Sequence, residues 1–258
     1  MQQGPSPSPE NPCIYRNLGQ INRIPVTLGH TEKHPQARLD AVQRRIAGAM
    51  EAARRKPGGV VLLAASKAQP AEAIAALYRA GQSRFGESYV SEALAKMDAL
   101  QLPDIEWHFI GPVQSNKTRQ IAAHFDWVHS VDREKIAGRL SEQRDPAAAP
   151  LNVCLQVNIS GESTKSGVAP EDLPALASAV ARLPGLKLRG LMAIPAPGND
   201  FDAQRETFAR VARLSGDLVQ AGFELDTLSM GMSADLEAAI AAGSTMVRVG
   251  TALFGPRP

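Results

Sequence analysis

Lys67 closes an apolar run, Val60-Val61-Leu62-Leu63-Ala64-Ala65-Ser66-Lys67. A buried strand ending in a single lysine presents an amine at the mouth of a pocket. Partial desolvation disfavours the ammonium there and leaves a nucleophile toward carbonyls. Far along the chain, Met246-Val247-Arg248-Val249-Gly250-Thr251 reads as a second strand that ends in small residues. Shortly before it, Ser229-Met230-Gly231-Met232-Ser233 ends a third, with Ser233 placed to N-cap a helix carrying Leu236 and Ile240. A helix N-terminus offers unpaired N–H groups and a favourable dipole to an anion. Gly231 and Gly250 let backbone approach a phosphate closely. An amine nucleophile with a distant phosphate cradle suits a phosphorylated aldehyde held as a Schiff base, and pyridoxal 5'-phosphate (PLP) is the obvious candidate.

Each of these residues also has a plainer reading. A lysine that ends a strand is often a solvated charge, Ser233 can simply cap its helix, and Gly250 can simply turn the chain. Arg248 lies inside an apolar run, where a charge needs a partner. That partner is either a carboxylate such as Glu87, in a structural ion pair, or a cofactor ring. His108, between Trp107 and Phe109, is more often a satisfied core histidine than a base. Lys165 sits in a polar, Gly-bounded loop, Glu162-Ser163-Thr164-Lys165-Ser166-Gly167, and reads first as a solvated side chain.

The elements that must position these residues follow from pattern. Residues 1–34 carry Pro5, Pro7, Pro9, Pro12 and Pro25 among scattered polar residues and read as a flexible leader. Leu39, Val42, Ile46 and Met50 then recur at helical spacing, predicting a helix from Arg38 to about Arg55 that Pro57-Gly58-Gly59 ends. From there strand and helix alternate. Strands are predicted at 60–66, 84–87, 106–111, 127–131, 152–159, 187–194, 227–230 and 246–251, and helices at 70–80, 89–100, 115–123, 133–143, 170–183, 201–221 and 235–242. The eighth strand has no following helix of its own, and the N-terminal helix can supply one. Regular alternation implies a parallel sheet with helices outside. Eight units in about 220 residues point to a (β/α)8 barrel spanning residues 35–258, whose sites collect at the C-terminal ends of the strands. An open doubly wound sheet is the alternative, weakened by the lack of a Gly-x-Gly-x-x-Gly after the first strand.

The totals exclude several classes. The chain has 258 residues, a formal net charge of +2 and 44% hydrophobic residues, enough for one large soluble domain. No basic run interleaved with aromatics marks a nucleic-acid surface. No apolar run approaches the roughly 18 residues that a membrane span needs. Cys13 and Cys154 have neither metal-ligand spacing nor the look of a disulfide, which fits a reducing, cytoplasmic setting.

Taken together, the segments resemble the pyridoxal phosphate homeostasis protein family. Those that carry the resemblance are Ala65-Ser66-Lys67, Phe85-Gly86-Glu87-Ser88-Tyr89-Val90-Ser91-Glu92, Trp107-His108-Phe109-Ile110-Gly111-Pro112-Val113-Gln114-Ser115-Asn116-Lys117, Val157-Asn158-Ile159-Ser160, Lys165-Ser166-Gly167, Gly190-Leu191-Met192, Leu228-Ser229-Met230-Gly231-Met232-Ser233 and Arg248-Val249-Gly250-Thr251-Ala252-Leu253-Phe254-Gly255. The string from His108 to Lys117 is very specific, and the resemblance runs from about Arg38 to Gly255. It implies a single barrel like the N-terminal domain of alanine racemase, with no C-terminal β-domain. Lys67 then matches the Schiff-base lysine, and Ser229, Met232, Ser233, Gly250 and Thr251 fall where the phosphate is held. Arg248 falls where an arginine faces the pyridine nitrogen, and Asn158 and Met192 match positions lining the cofactor. Ser88 and His108 are further lining positions, and Lys117 and Lys165 raise the question of a second PLP. The family's Gly-Glu-Asn is Gly86-Glu87-Ser88 here, so a shorter hydroxyl replaces an asparagine. The turn after the lysine, usually threonine-rich, is Ala68-Gln69-Pro70.

The resemblance also bears on catalysis. PLP chemistry uses the ring as an electron sink, which a protonated pyridine nitrogen favours. An arginine at that nitrogen stays charged and cannot accept its proton. Racemases of this arrangement also need a second acid/base group, which an added domain on a partner subunit supplies; a chain ending at Pro258 is expected to lack it. The leading expectation is therefore a monomeric PLP-binding protein that buffers the cofactor or delivers it to apo PLP enzymes, with little or no turnover. A low-activity amino-acid racemase, with His108 or Lys165 as base, is the second reading. A lysine aldolase that works without PLP is the third.

Overall fold

The computed structural model describes residues 34–162, 165–196 and 200–256. The Pro-rich leader with Cys13 lies outside the described residues, as do Ser163 and Thr164 of the Lys165 loop. Helix α1 (Pro35–Ala52) comes first and buries Leu39, Val42, Ile46 and Met50, the stripe its spacing predicts. Burial of each contributes about 2 kcal/mol. There follow β1 (Val61–Ala65), α2 (Ala71–Arg79), β2 (Arg84–Glu87), α3 (Val90–Leu100), β3 (Glu106–Phe109), α4 (Thr118–His124), β4 (Trp127–Val131) and α5 (Glu134–Gln143). The second half holds β5 (Leu151–Gln156), α6 (Leu173–Ala181), β6 (Leu186–Met192), α7 (Phe201–Gln220), β7 (Thr227–Ser229), α8 (Leu236–Ala241), β8 (Met246–Val249) and α9 (Thr251–Phe254).

The eight strands pair in parallel and in chain order, and β8 returns to β1 to close the barrel. The (β/α)8 expectation therefore holds and the open-sheet alternative does not. Helix α1 packs against α8, α9 and α2, and so fills the gap in the outer ring beside β8. A short α9 adds one turn that the sequence pattern did not announce.

The apolar core lies between the sheet and the helices, where Phe85, Phe109, Ile121, Leu140, Val153 and Val247 are fully or almost fully buried. The inside of the barrel is different. Trp127, Cys154 and Met192 form a small separate cluster there. Around it are polar side chains: the Trp127 indole stacks on the His108 ring at 5.3 Å between centroids, and the Arg189 guanidinium lies 4.6 Å over the indole. Arg189 also donates to both carboxylate oxygens of Asp226 and to Asn152 Oδ1. Interior positions of a barrel must be filled, and here polar groups that satisfy one another fill much of it.

Several strands end earlier than their apolar runs. β3 stops at Phe109 rather than Gly111, β5 at Gln156 rather than Ile159, β6 at Met192 rather than Ile194 and β8 at Val249 rather than Thr251. Beyond β3, β5 and β6 the first extra residue still donates to the neighbouring strand before the chain enters a βα loop, whereas Gly250 and Thr251 pass straight into α9. At the N-terminal side of α6, Pro170–Asp172 form a 3-10 turn before the α-helix starts at Leu173. Among the described residues no helix is long and apolar enough to cross a membrane.

Candidate functional site

The site is the C-terminal mouth of the barrel, on the side where β7, β8 and β1 are neighbours. Leu63 of β1 pairs with Arg248 of β8, and Ala64 with Val249, so Lys67 emerges three residues beyond a register shared with the Arg248 strand. A Cβ on Gly250 would come 3.2 Å from the Ala65 carbonyl oxygen, which fixes how closely the ends of β8 and β1 approach. Lys67 is half-buried and lies in a turn.

Arg248 is buried at 4% exposure, and its guanidinium is held by oxygens without formal charge. Nη1 donates to the Ser229 carbonyl and, at 2.7 Å, to Ser229 Oγ; Nη2 donates to the Ala193 carbonyl at 2.9 Å. Burial pulls its pKa down to about 10, which leaves it a cation at neutral pH. Among the described residues no carboxylate pairs with it directly. Glu87, the partner that a structural ion pair would have used, is committed elsewhere: its Oε1 takes Lys96 Nζ at 2.7 Å and the Ser66 hydroxyl at 2.6 Å.

Ser229 links Arg248 to a chain of side chains that crosses the barrel. His129 Nδ1 lies 2.8 Å from Ser229 Oγ, His129 Nε2 lies 2.8 Å from His108 Nδ1, and His108 Nε2 lies 2.7 Å from Glu106 Oε1. β4 and β7 are not neighbours in the sheet, so the His129–Ser229 bond spans the interior. Desolvation by burial lowers the pKa of both histidines, and the His108 hydrogen bond holds Glu106 below the usual carboxylate range. With Glu106 ionised and both rings neutral, one proton arrangement avoids facing two donors or two acceptors. His108 donates from Nε2 to Glu106, His129 donates from Nε2 to His108 Nδ1, and the Ser229 hydroxyl donates to His129 Nδ1. The Ser229 lone pairs are then turned to Arg248.

His108 is thus a satisfied core histidine with 0% exposure, and it does not line the mouth as expected. Ser233 also departs from expectation. The N-cap of α8 is Asp235, whose carbonyl accepts the Ala239 N–H, while its carboxylate makes no capping bond and accepts the Met232 N–H of the preceding turn, in which the Asp235 N–H bonds to the Met232 carbonyl. That tight turn delays the helix by two residues. The Ser233 carbonyl instead accepts from Arg45 at 2.9 Å. Gly231 is required here for its backbone: φ is 94°, and a Cβ would lie 2.5 Å from that of Ala239.

The remaining expected residues are distributed around the same mouth. Met192 is buried at the end of β6, level with Ser229 in the ladder. Met232 is exposed beyond β7, and Thr251 is exposed at the first position of α9, with Gly250 as its N-cap. Asn158 follows β5, but its side chain is occupied within its own loop: it accepts the Gly161 N–H and donates to the Glu162 and Lys165 carbonyls. Lys165 pairs with Glu162 at 2.8 Å, and Lys117 sits half-buried just before α4. Ser88 is half-buried, and Gly111 lies so close to its backbone that no side chain fits between them. Three further residues near the site, His129, Glu92 and Lys96, were given no role from sequence. Lys96 had a signal: it stands among Val90 and Ala93 on the buried face of α3, where a lysine is unusual. Among the described residues no group of three or more His, Cys, Asp or Glu could hold a metal.

The residues present suit PLP in kind. A buried cation on neutral acceptors, glycine backbone at the ends of β7 and β8 and a half-buried lysine just past β1 all lie at the C-terminal ends of neighbouring strands. Comparison with known proteins agrees. Residues 37–258 match the family model described as alanine racemase, N-terminal domain. The chain is 61% identical over 216 residues to the pyridoxal phosphate homeostasis protein of Pseudomonas aeruginosa, covering 84% of this chain and 93% of that one. It is 51% identical over 222 residues to the protein of the same name from Escherichia coli K12, covering 85% and 95%. Its fold matches the structure of PipY from Synechococcus elongatus PCC7942 with PLP bound, at TM-score 0.76 and 38% identity over 86% of this chain and all of that one. The chain therefore belongs to the alanine racemase N-terminal domain family and, within it, to the pyridoxal phosphate homeostasis proteins.

Proposed function

We propose that this protein binds PLP covalently through Lys67 as a Schiff base and serves intracellular PLP homeostasis or delivery with little or no catalysis. The observation that carries the reading is Arg248, a buried cation held by Ser229 and Ala193 oxygens one strand away from the Lys67 strand. A permanent cation at the pyridine nitrogen leaves that nitrogen unprotonated and the ring a weak electron sink. In this reading Gly250, Thr251, Ser229, Met232 and the Ser233 backbone surround the phosphate, Met192 packs on the cofactor, and Asn158 and Ser88 shape its rim.

Two observations count against the racemase reading. His108 is enclosed, with both ring nitrogens engaged, and Lys165 is engaged with Glu162. A carrier must release its cargo, so transient contact with apo PLP enzymes belongs to this proposal, as do a monomeric state and a cytoplasmic location. The test is the visible spectrum of purified protein with added PLP, native and as Lys67→Ala, before and after borohydride. A band near ~420 nm that borohydride removes and the variant lacks supports the assignment. No band in the native protein, or the same band in Lys67→Ala, overturns it. Racemisation or transamination of an amino acid at ~1 s⁻¹ or faster would refute the carrier role.

A further inference from the structure

Ser66, Lys67, Ala68 and Gln69 form a β-turn closed by the Gln69 N–H on the Ser66 carbonyl at 3.0 Å. Lys67 is its second residue and Ala68 its third, with φ of 58°. A positive φ at the third position with an ordinary second residue is the type II pattern, which asks for glycine or asparagine at the third position. Ala68 is neither. An alanine in the left-handed region is disfavoured by about tenfold or more, so something outside the turn must hold it.

That support comes from α3. Glu92 Oε1 accepts the Ala68 N–H at 2.7 Å, and Lys96 Nζ donates to the Ser66 carbonyl at 2.8 Å. Glu92 and Lys96 are four residues apart on one helix face and pair with each other at 2.5 Å. Both peptide units that flank the Lys67 Cα are therefore gripped by one ion pair, the carbonyl on its N-terminal side by the cation and the N–H on its C-terminal side by the anion. The pair is anchored in turn, because Lys96 is buried and also binds Glu87, whose carboxylate takes the Ser66 hydroxyl. In a type I turn the central peptide is flipped and its N–H no longer meets the Glu92 carboxylate. The ion pair thus selects one of two turn conformers.

We propose that Glu92 and Lys96 are positioning residues: they clamp the turn that aims the Lys67 amine into the barrel mouth. The inference rests on Lys67 being the amine that takes the cofactor. In that step the Lys67 nitrogen bonds to the aldehyde carbon, the carbonyl oxygen leaves as water with the two protons the neutral amine gives up, and a C=N bond remains. The clamp acts before this step, by fixing where the amine stands.

Glu92→Ala tests it, because Glu92 is partly exposed and its loss leaves Lys96 paired with Glu87. Where the competent conformer becomes a minority, association falls in proportion, so covalent band formation after addition of PLP should slow about tenfold. The thermal midpoint should move little. Glycine reaches positive φ without strain, so Ala68→Gly in the Glu92→Ala background should restore the rate to within about threefold of native. Glu92→Gln, which keeps an acceptor, should fall between. An unchanged rate in Glu92→Ala, or a slow rate that Ala68→Gly does not rescue, overturns the clamp. A second readout does not need the cofactor: the Ala68 amide should exchange with solvent at least about tenfold faster in Glu92→Ala. If the native protein forms no Lys67-dependent band, the covalent reading fails by itself, and amide exchange still decides for or against the clamp.

Discussion

Lowering the pH from 7.5 to 5.5 should weaken the native state through His108 and His129. In the native protein both rings are enclosed and held neutral, chiefly by desolvation; Arg248 adds to the effect at His129, and Glu106 works against it at His108. In the unfolded chain each ring titrates near 6.5. A folded pKa below the unfolded one means that the unfolded chain binds more protons as the pH falls through 6.5, so stability is complete above that pH and declines below it. An imidazole that stays neutral throughout costs about 1.4 kcal/mol between pH 7.5 and 5.5. The hydrogen-bond chain sets the bounds. One added proton can be accommodated on His108, against ionised Glu106, if His129 changes tautomer and donates to Ser229. A second would set two donors face to face. The loss should thus lie between about 1.4 kcal/mol, from one ring, and about 2.7 kcal/mol, from two. Chemical unfolding at the two pH values measures it, and calorimetry in two buffers of different ionisation enthalpy counts the protons taken up. His34 and His124 are exposed and are not part of this prediction. A loss below about 0.7 kcal/mol, or uptake of under half a proton at pH 5.5, would show that the rings are charged in the native barrel and that the assigned proton order is wrong.

Gly111→Ala should cost several kcal/mol and the soluble yield, because its new Cβ would enter the Ser88 backbone, whereas Gly138→Ala, which meets nothing within 4 Å inside α5, should add about 0.5–1 kcal/mol in chemical denaturation. Lys96→Met strands the fully buried Glu87 and should cost about 3–5 kcal/mol; adding Glu87→Gln should recover part of that loss, and strict additivity of the two changes would refute the pairing. Cys154 is buried with its thiol pushed up to about 12, so in a Cys13→Ser background the native protein should resist a disulfide reagent at pH 8 for hours and react at once in denaturant.

How much of this was legible in the sequence differs by level. The barrel was, because each unit carries its own period: Leu39, Val42, Ile46 and Met50 mark a helix stripe, and short apolar runs such as the one from Asn152 to Ile159 alternate with such helices as buried strands do. Strand ends were not, since Ile159, Ile194 and Thr251 are as strand-like as their neighbours and leave the ladder for reasons of three-dimensional packing. Lys67 and Arg248 were legible as charges ending or interrupting apolar runs. Ser233 misled because Asp235, two residues later, closes a tight turn with Met232 and the helix starts only after it. His108 misled in part: the same Trp-His-Phe surroundings that mark it as core gave no sign that its ring nitrogens would meet Glu106 and a histidine from the next strand. Pairing across a barrel depends on register and closure, and neither leaves a period in the sequence.

The polar interior gives Arg248 its character. A buried guanidinium could have been neutralised by a carboxylate, and Asp235 is near enough to act on Arg248 through its charge. Instead Asp235 is turned to the Met232 amide, and Glu87 is bound to Lys96. Arg248 is left with carbonyl and hydroxyl dipoles, which orient it without cancelling its charge. In the proposed site such a cation would favour a dianionic ligand and would hold the ligand's own basic nitrogen unprotonated. Both effects serve retention, and the second works against carbanion chemistry. Replacing Arg248 with a carboxylate would reverse the second effect, but it would bury an anion beside Ser229 and leave the neutral end of the His129–His108–Glu106 chain without the donor that sets its direction. If Arg248 meets the pyridine nitrogen as proposed, a single substitution at the mouth should leave turnover far below that of a racemase, because the polar chain behind Ser229 runs as far down as Glu106.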